Sequence, residues 1–165
     1  MPEETLRNAV VRAKRLGKAE IGSGHDNYLN GIVAQFDLTF TIKAWTEAER
    51  YHFFDFVSSQ STMHRLQKMD VAESCIKYVD SRVIDVAEEL VRKYNENPNL
   101  ENKLKMLSSC QTGLKLTARM TTNYRQLKTI YHQRKNHTLP EWRRFCQQLV
   151  DEFPMFKKLC LGDEE

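Results

Sequence analysis

The chain has 165 residues, 41% hydrophobic and 28% charged, with a net charge of +3 and a pI near 8.6. These values fit one globular domain over residues 1–165 that is long enough to bury a sizeable core. They argue against a membrane-spanning helix, because no apolar run approaches 18 residues. The charge suits a phosphate-bearing ligand and is too small to argue for nucleic acid.

The N-terminus MPEETLRNAVVRAK does not read as a signal peptide. Cys75, Cys110, Cys146 and Cys160 show no CxxC spacing. A reduced cytoplasmic protein with isolated thiols and no metal site is therefore expected. Pro2 to Leu16 reads as a helix with Leu6, Ala9, Val10 and Ala13 on its apolar stripe and Gly17 as the residue that ends it. Its basic residues read as a solvated face. Ile21–Ile32, IGSGHDNYLNGI, is a glycine-rich loop holding His25 and Asp26. It matches neither GxGxxG nor GxxxxGK[ST].

Ile32–Ala44 is the clearest strand, with Phe36, Leu38, Phe40 and Ile42 alternating against Asp37, Thr39, Thr41 and Lys43. A helix is expected next, capped by Thr46 with Glu49 and running through RYHFFDFV, its aromatics in the core. Ser58–Leu66, SSQSTMHRL, packs hydroxyls beside His64 and Arg65, a density that ends a helix and marks a turn or a site. His64 is a candidate acid or base.

Lys68–Asp80 reads as strand or helix, and it is the candidate second strand. Ser81–Tyr94 reads as a helix with Val83, Val86, Ala87, Leu90 and Tyr94 inward. Leu100–Ser109 is a short helix, and Pro140 opens a last one carrying Trp142, Phe145, Leu149 and Phe153. The order gives an α+β architecture, a small antiparallel sheet packed by several helices.

Thr121–Arg134, TTNYRQLKTIYHQR, reads as one helix. At about 100° per residue, Asn123, Leu127, Ile130 and Arg134 share a face. An Arg in line with apolar residues wants a planar double acceptor: a carboxylate of the same chain, a phosphate or a pyrimidine edge. Spacing leaves these open.

The order of these motifs resembles the flavin-dependent thymidylate synthases (ThyX). Gly24–Ala44 is similar to that family's loop and central strand. Glu49–Leu66 is similar to its following segment, and Thr121–Phe145 to its WTVNARSLxxFLxLR block, with Asn123, Arg125, Leu127 and Arg134 in register. The resemblance implies a homotetramer with shared sites that reductively methylates dUMP using FAD, NADPH and methylenetetrahydrofolate. It implies His25 near the flavin, Asn123 and Arg125 on FAD, and Arg134 on the dUMP pyrimidine.

The family signature RHRxxSxNExSxRY is altered here. Phe54-Asp55-Phe56 stands for its first three residues, His64 for its substrate-activating serine, and Leu66 for its substrate arginine. An Asp facing a diphosphate repels it. A slipped register puts His64 and Arg65 on a nucleotide phosphate, with Ser58, Ser59 and Ser61 as hydroxyl donors. Two expectations follow: a divergent enzyme of this kind with His64 as its catalytic group, or a degraded one that keeps a nucleotide pocket or an oligomeric interaction surface.

Overall fold

The structure is a computed structural model that describes residues 11–162. The expected first part of the N-terminal helix, including Leu6, Ala9 and Val10, lies outside the described residues. Residues 11–17 are helical and form α1. Gly17 is the last residue of that helix rather than a left-handed residue after it. A Cβ there would lie 1.8 Å from the Leu159 carbonyl oxygen, so close backbone approach requires the glycine. Gly22 (φ 90°) and Gly24 (φ 79°) give the following loop its left-handed turns.

A 3-10 turn at Asn27–Gly31 leads into β1 (Val33–Thr41) and directly into α2 (Ile42–Ala48). Leu38 and Phe40 are buried while Asp37 and Thr39 face out, as the alternation predicts. The cap of α2 is Thr41, whose hydroxyl accepts from the Ala44 N–H. The expected cap, Thr46, lies inside the helix and donates to the Lys43 carbonyl. The predicted helix through RYHFFDFV is instead a turn followed by β2 (Phe54–Ser59). Phe53 sits there at φ 57°, a conformation that side-chain-bearing residues rarely adopt, and its carbonyl accepts from Thr122 Oγ1. Of the four aromatics assigned to the core, only Phe54 is buried, Tyr51 is half-buried, and Phe53 and Phe56 are exposed.

α3 (Thr62–Arg65), a 3-10 turn and α4 (Val71–Ser74) follow. The candidate strand in Lys68–Asp80 reduces to one bridge, Cys75 to Leu114. α5 (Ser81–Glu96) turns Ile84, Ala87, Val91 and Tyr94 inward, and leaves Val83 and Val86 exposed, against expectation. After α6 (Leu100–Ser108) comes β3 (Lys115–Asn123), a strand absent from the sequence reading, whose last three residues open the stretch read as one helix. α7 (Tyr124–Arg134) and α8 (Pro140–Asp151, proline at its first turn) complete the helices, before a π-helical turn at Lys157–Leu161.

The sheet has the order β1-β3-β2, so β3 is central and β1, the expected central strand, is an edge. Antiparallel pairing shows in the Tyr124 N–H bond to the Ile32 carbonyl and the Ile42 N–H bond to the Leu114 carbonyl. The fold class is thus the expected α+β arrangement with a small antiparallel sheet.

The chain divides into two compact units. Unit 1 is 1–36, 51–55 and 121–165, and unit 2 is 37–50 and 56–120. In unit 1, α7 packs on the Asn27–Gly31 turn, on α8 and on the π-helical turn. Leu29, Leu127, Ile130, Trp142, Phe145, Leu149 and Phe156 form its buried centre. The Tyr28 hydroxyl lies 2.7 Å from the Ala13 carbonyl oxygen and 2.8 Å from that of Leu159. Burial pushes its pKa up to about 12, so it stays protonated. In unit 2, Leu66, Val71, Cys75, Ala87, Met106 and Leu114 form a core closed by α5 and α6. The four cysteines are free thiols.

Candidate functional site

In unit 2 the end of β2 is pinned to β3 by one residue. The Gln60 N–H donates to the Thr117 carbonyl at 3.0 Å, and the Thr117 N–H donates to Gln60 Oε1 at 3.2 Å. Beyond this pair of hydrogen bonds the chain leaves the sheet. The Ser61 carbonyl accepts from the N–H groups of His64 and Arg65 and starts α3.

Ser58, Ser59, Ser61, His64 and Arg65 are all exposed. Among the described residues their side chains make no hydrogen bond or ion pair. The same segment borders a cleft of about 280 Å³ whose wall includes Trp45, Glu49, Phe56, Ser59, Gln60 and Thr62. The Trp45 and Phe56 rings lie 5.1 Å apart at 48°. Trp45 is fixed by donation from Nε1 to the Leu116 carbonyl at 3.0 Å, while Phe56 is 44% exposed. An aromatic wall and open hydroxyls, on a segment that ends at an Arg65 guanidinium with no partner among the described residues, can take a nucleoside with its phosphate.

In unit 1 the residues expected to face a ligand already have partners. Asn123 caps α7, its side-chain oxygen accepting from the Gln126 N–H at 2.9 Å. Arg134 donates from Nε to the Tyr51 hydroxyl at 2.7 Å, and that hydroxyl donates on to Gln133 Oε1 at 2.8 Å. Its Nη1 meets His137 Nε2 at 2.7 Å, and its guanidinium carbon lies 4.9 Å from the Trp142 ring centre and 5.5 Å from that of Tyr51. The rings of Tyr51 and Trp142 are thus planar partners of Arg134.

Arg125 does pair with a carboxylate. Its Nε donates to Asp26 Oδ1 at 3.3 Å, which joins α7 to the glycine-rich loop. Asp26 is fully buried, and its other oxygen accepts from Lys128 Nζ at 3.3 Å. His25, one residue before, is exposed.

The structure thus gathers Ser59, Ser61, His64 and Arg65 on one unit-2 segment, and holds His25, Asn123, Arg125 and Arg134 in unit 1. The sequence reading missed Tyr51, His137 and Trp142 around Arg134, and Trp45 and Phe56 in the cleft. It also missed Lys128. One signal was available, because Lys128 lies four residues after buried Tyr124, on a stripe that should be apolar.

The family implied by the motifs carries FAD, and the residues present do not fit it at the signature position. Phe54 is 3% exposed and packs against Phe36 and Phe145, at centroid distances of 6.3 and 6.2 Å. Asp55 is exposed and acidic, and Phe56 is an uncharged ring. No cation stands at these three positions to meet a diphosphate.

No protein family matches the chain by sequence, and no curated protein does. Solved structures do match in fold. Two structures of the flavin-dependent thymidylate synthase ThyX from Helicobacter pylori, each with FAD and dUMP, align with TM-scores of 0.73 and 0.74. Each has 18% sequence identity and covers 92% of this chain and 80% of the other. The chain has a ThyX-like fold. Among the described residues no helix is long and apolar enough to cross a membrane.

Proposed function

We propose that the chain forms a single ThyX-like domain that binds a deoxyuridine nucleotide without flavin chemistry. The reading is carried by Ser59, Ser61, His64 and Arg65, exposed and unengaged among the described residues, on a segment whose Ser59 lines the Trp45–Phe56 cleft. Arg65 takes the phosphate, the serine hydroxyls add donors, and the pyrimidine stacks on Phe56.

Calorimetric titration of dUMP tests this. Arg65→Ala, at an exposed position, is expected to weaken binding roughly 10- to 150-fold, from the 1.5–3 kcal/mol of a hydrogen bond to a charged group. Unchanged dUMP affinity in Arg65→Ala removes the reading.

A second reading is reductive methylation of dUMP with FAD, NADPH and methylenetetrahydrofolate, with His64 as catalytic group, His25, Asn123 and Arg125 on the flavin and Arg134 on the pyrimidine. It is favoured by the fold likeness to complexes that hold FAD and dUMP. The visible spectrum of the purified protein with added FAD decides between them. Bound flavin bands with dUMP-dependent NADPH oxidation support the second, and colourless protein that binds dUMP supports the first.

Self-association, a homotetramer in the family, is supported by exposed Tyr78, Val83, Val86, Leu100 and Leu104 in unit 2. Sedimentation velocity measures it directly.

A further inference from the structure

Unit 1 holds a charge arrangement that the proposed nucleotide site does not use. Asp26 is fully buried and Lys128 is 2% exposed, and their side chains meet at 3.3 Å. Arg125 is bound to the same carboxylate at 3.3 Å. One buried anion therefore faces two cations, the buried Lys128 and Arg125, whose side chain is 35% exposed. Buried charges are costly unless paired.

Lys128 has three protons to donate. Among the described residues its ammonium has two acceptors, the Ala19 carbonyl at 2.9 Å and Asp26. It also lines a cavity of about 540 Å³ with Lys18, Glu20, Tyr131, His132 and Lys135. Among the described residues, three lysines and a histidine thus converge on one hollow, against the single carboxylate of Glu20. Among the described residues the wall carries no second anion, because burial pushes the Cys160 thiol up to about 12 and keeps it neutral. Burial first, then the charges of Lys135 and Lys128, hold the His132 imidazole below its usual range, as a positive field requires. Like charges brought together in this way repel each other unless an anion sits among them.

We propose that this cavity is an anion site for a small organic phosphomonoester, with the phosphate between Lys128 and Lys135 and the organic group against the Tyr131 ring. The volume exceeds what inorganic phosphate fills, and the Tyr131 ring, packed against Phe156 and with Lys135 Nζ 5.6 Å from its centre, supplies a flat face beside the lysine. The site lies on the side of α7 that carries Lys128, Tyr131 and Lys135, and it is independent of the deoxyuridine nucleotide reading.

The test titrates inorganic phosphate, phenyl phosphate and phenol into full-length protein, followed by NMR of the His132 ring and the Lys128 side chain. Both phosphates are expected to shift these signals saturably, phenyl phosphate more tightly, and phenol not at all. Lys18→Gln and Lys135→Gln change exposed side chains and leave the fold intact. Each is expected to weaken phosphate binding about fivefold, the scale of a partly exposed charge contact. Lys128→Met strands Asp26, so its effect is read only alongside these two. The proposal is overturned if no saturable shift occurs. It is equally overturned if both lysine variants bind phosphate like the unaltered protein, or if the shifts fall on His64 and Arg65.

Discussion

Helix α7 and the β2–α3 segment carry comparable sets of hydrogen-bonding side chains, and they differ in what those side chains already touch. On α7, Asn123 caps the helix, Arg125 and Lys128 share Asp26, and Arg134 is held by Tyr51, His137 and Trp142. From Ser58 to Arg65 the serines, His64 and Arg65 are exposed and unengaged among the described residues. The motif resemblance points the other way, to α7 as the ligand-facing half. Side chains committed to internal partners contribute to stability, and binding a ligand through them means breaking those contacts. Side chains left open lose only rotamer freedom on binding. Substitutions on α7 should therefore destabilise the fold, and those on the β2–α3 segment should change binding.

The sharpest way to break this comparison is Asp26→Ala. It leaves Lys128 buried with the Ala19 carbonyl as its remaining acceptor among the described residues. The expected loss is about 3–5 kcal/mol, the cost of removing one partner from a buried ion pair. Urea denaturation measures it, and a loss below about 1 kcal/mol would show that water reaches Lys128.

Next in size is the restoration of family arginines at β2. Phe54→Arg forces a charge into the ring cluster of Phe36 and Phe145, and is expected to cost several kcal/mol. Phe56→Arg lies at an exposed position and is expected to stay within about 0.5 kcal/mol of the parent. Equal melting temperatures for the two variants would contradict the burial difference between them.

A smaller effect belongs to Asn123→Ala, which removes the acceptor for the Gln126 N–H. About 1 kcal/mol is expected, with dUMP affinity unchanged. A loss of nucleotide binding at full stability would return α7 to the ligand-facing role.

The parts of this design that the sequence announces are local. Alternation placed Leu38 and Phe40 inside β1, and Pro140 marked the start of α8. The parts it conceals depend on distant partners. Asp26 and Lys128 are 102 residues apart, so the lysine's burial has no local sign beyond its place on an apolar stripe. β3 alternates Ala118, Met120 and Thr122 inward, but small and polar side chains blur the contrast with its outward face. β2 was hidden because no glycine marks the left-handed residue before it, Phe53. In the candidate site, the hydroxyl cluster was visible as composition. Its freedom from partners was not, because only tertiary structure shows what a side chain does not touch.

The weakest link sets the lower end of the comparison. Asp37 and Arg119 pair across β1 and β3 with two bonds, of 2.6 and 2.9 Å, while both side chains stay about half exposed. The hydrogen bonds from Arg119 hold the Asp37 carboxyl below its usual range, more than its slight desolvation raises it. A folded-state value below the unfolded one means that the unfolded chain takes up the proton first. The pair's contribution is therefore present above the unfolded carboxylate range, near pH 4, and is lost as pH falls through the lower folded value. Arg119→Met is expected to flatten this part of the acid limb and to leave the urea midpoint near pH 7 almost unchanged, because solvent and salt screen the pair. An acid limb of the same slope in Arg119→Met would mean that the paired geometry carries no stability in solution. In that case even the engaged groups of this fold must be buried, as Lys128 is, before their partners matter.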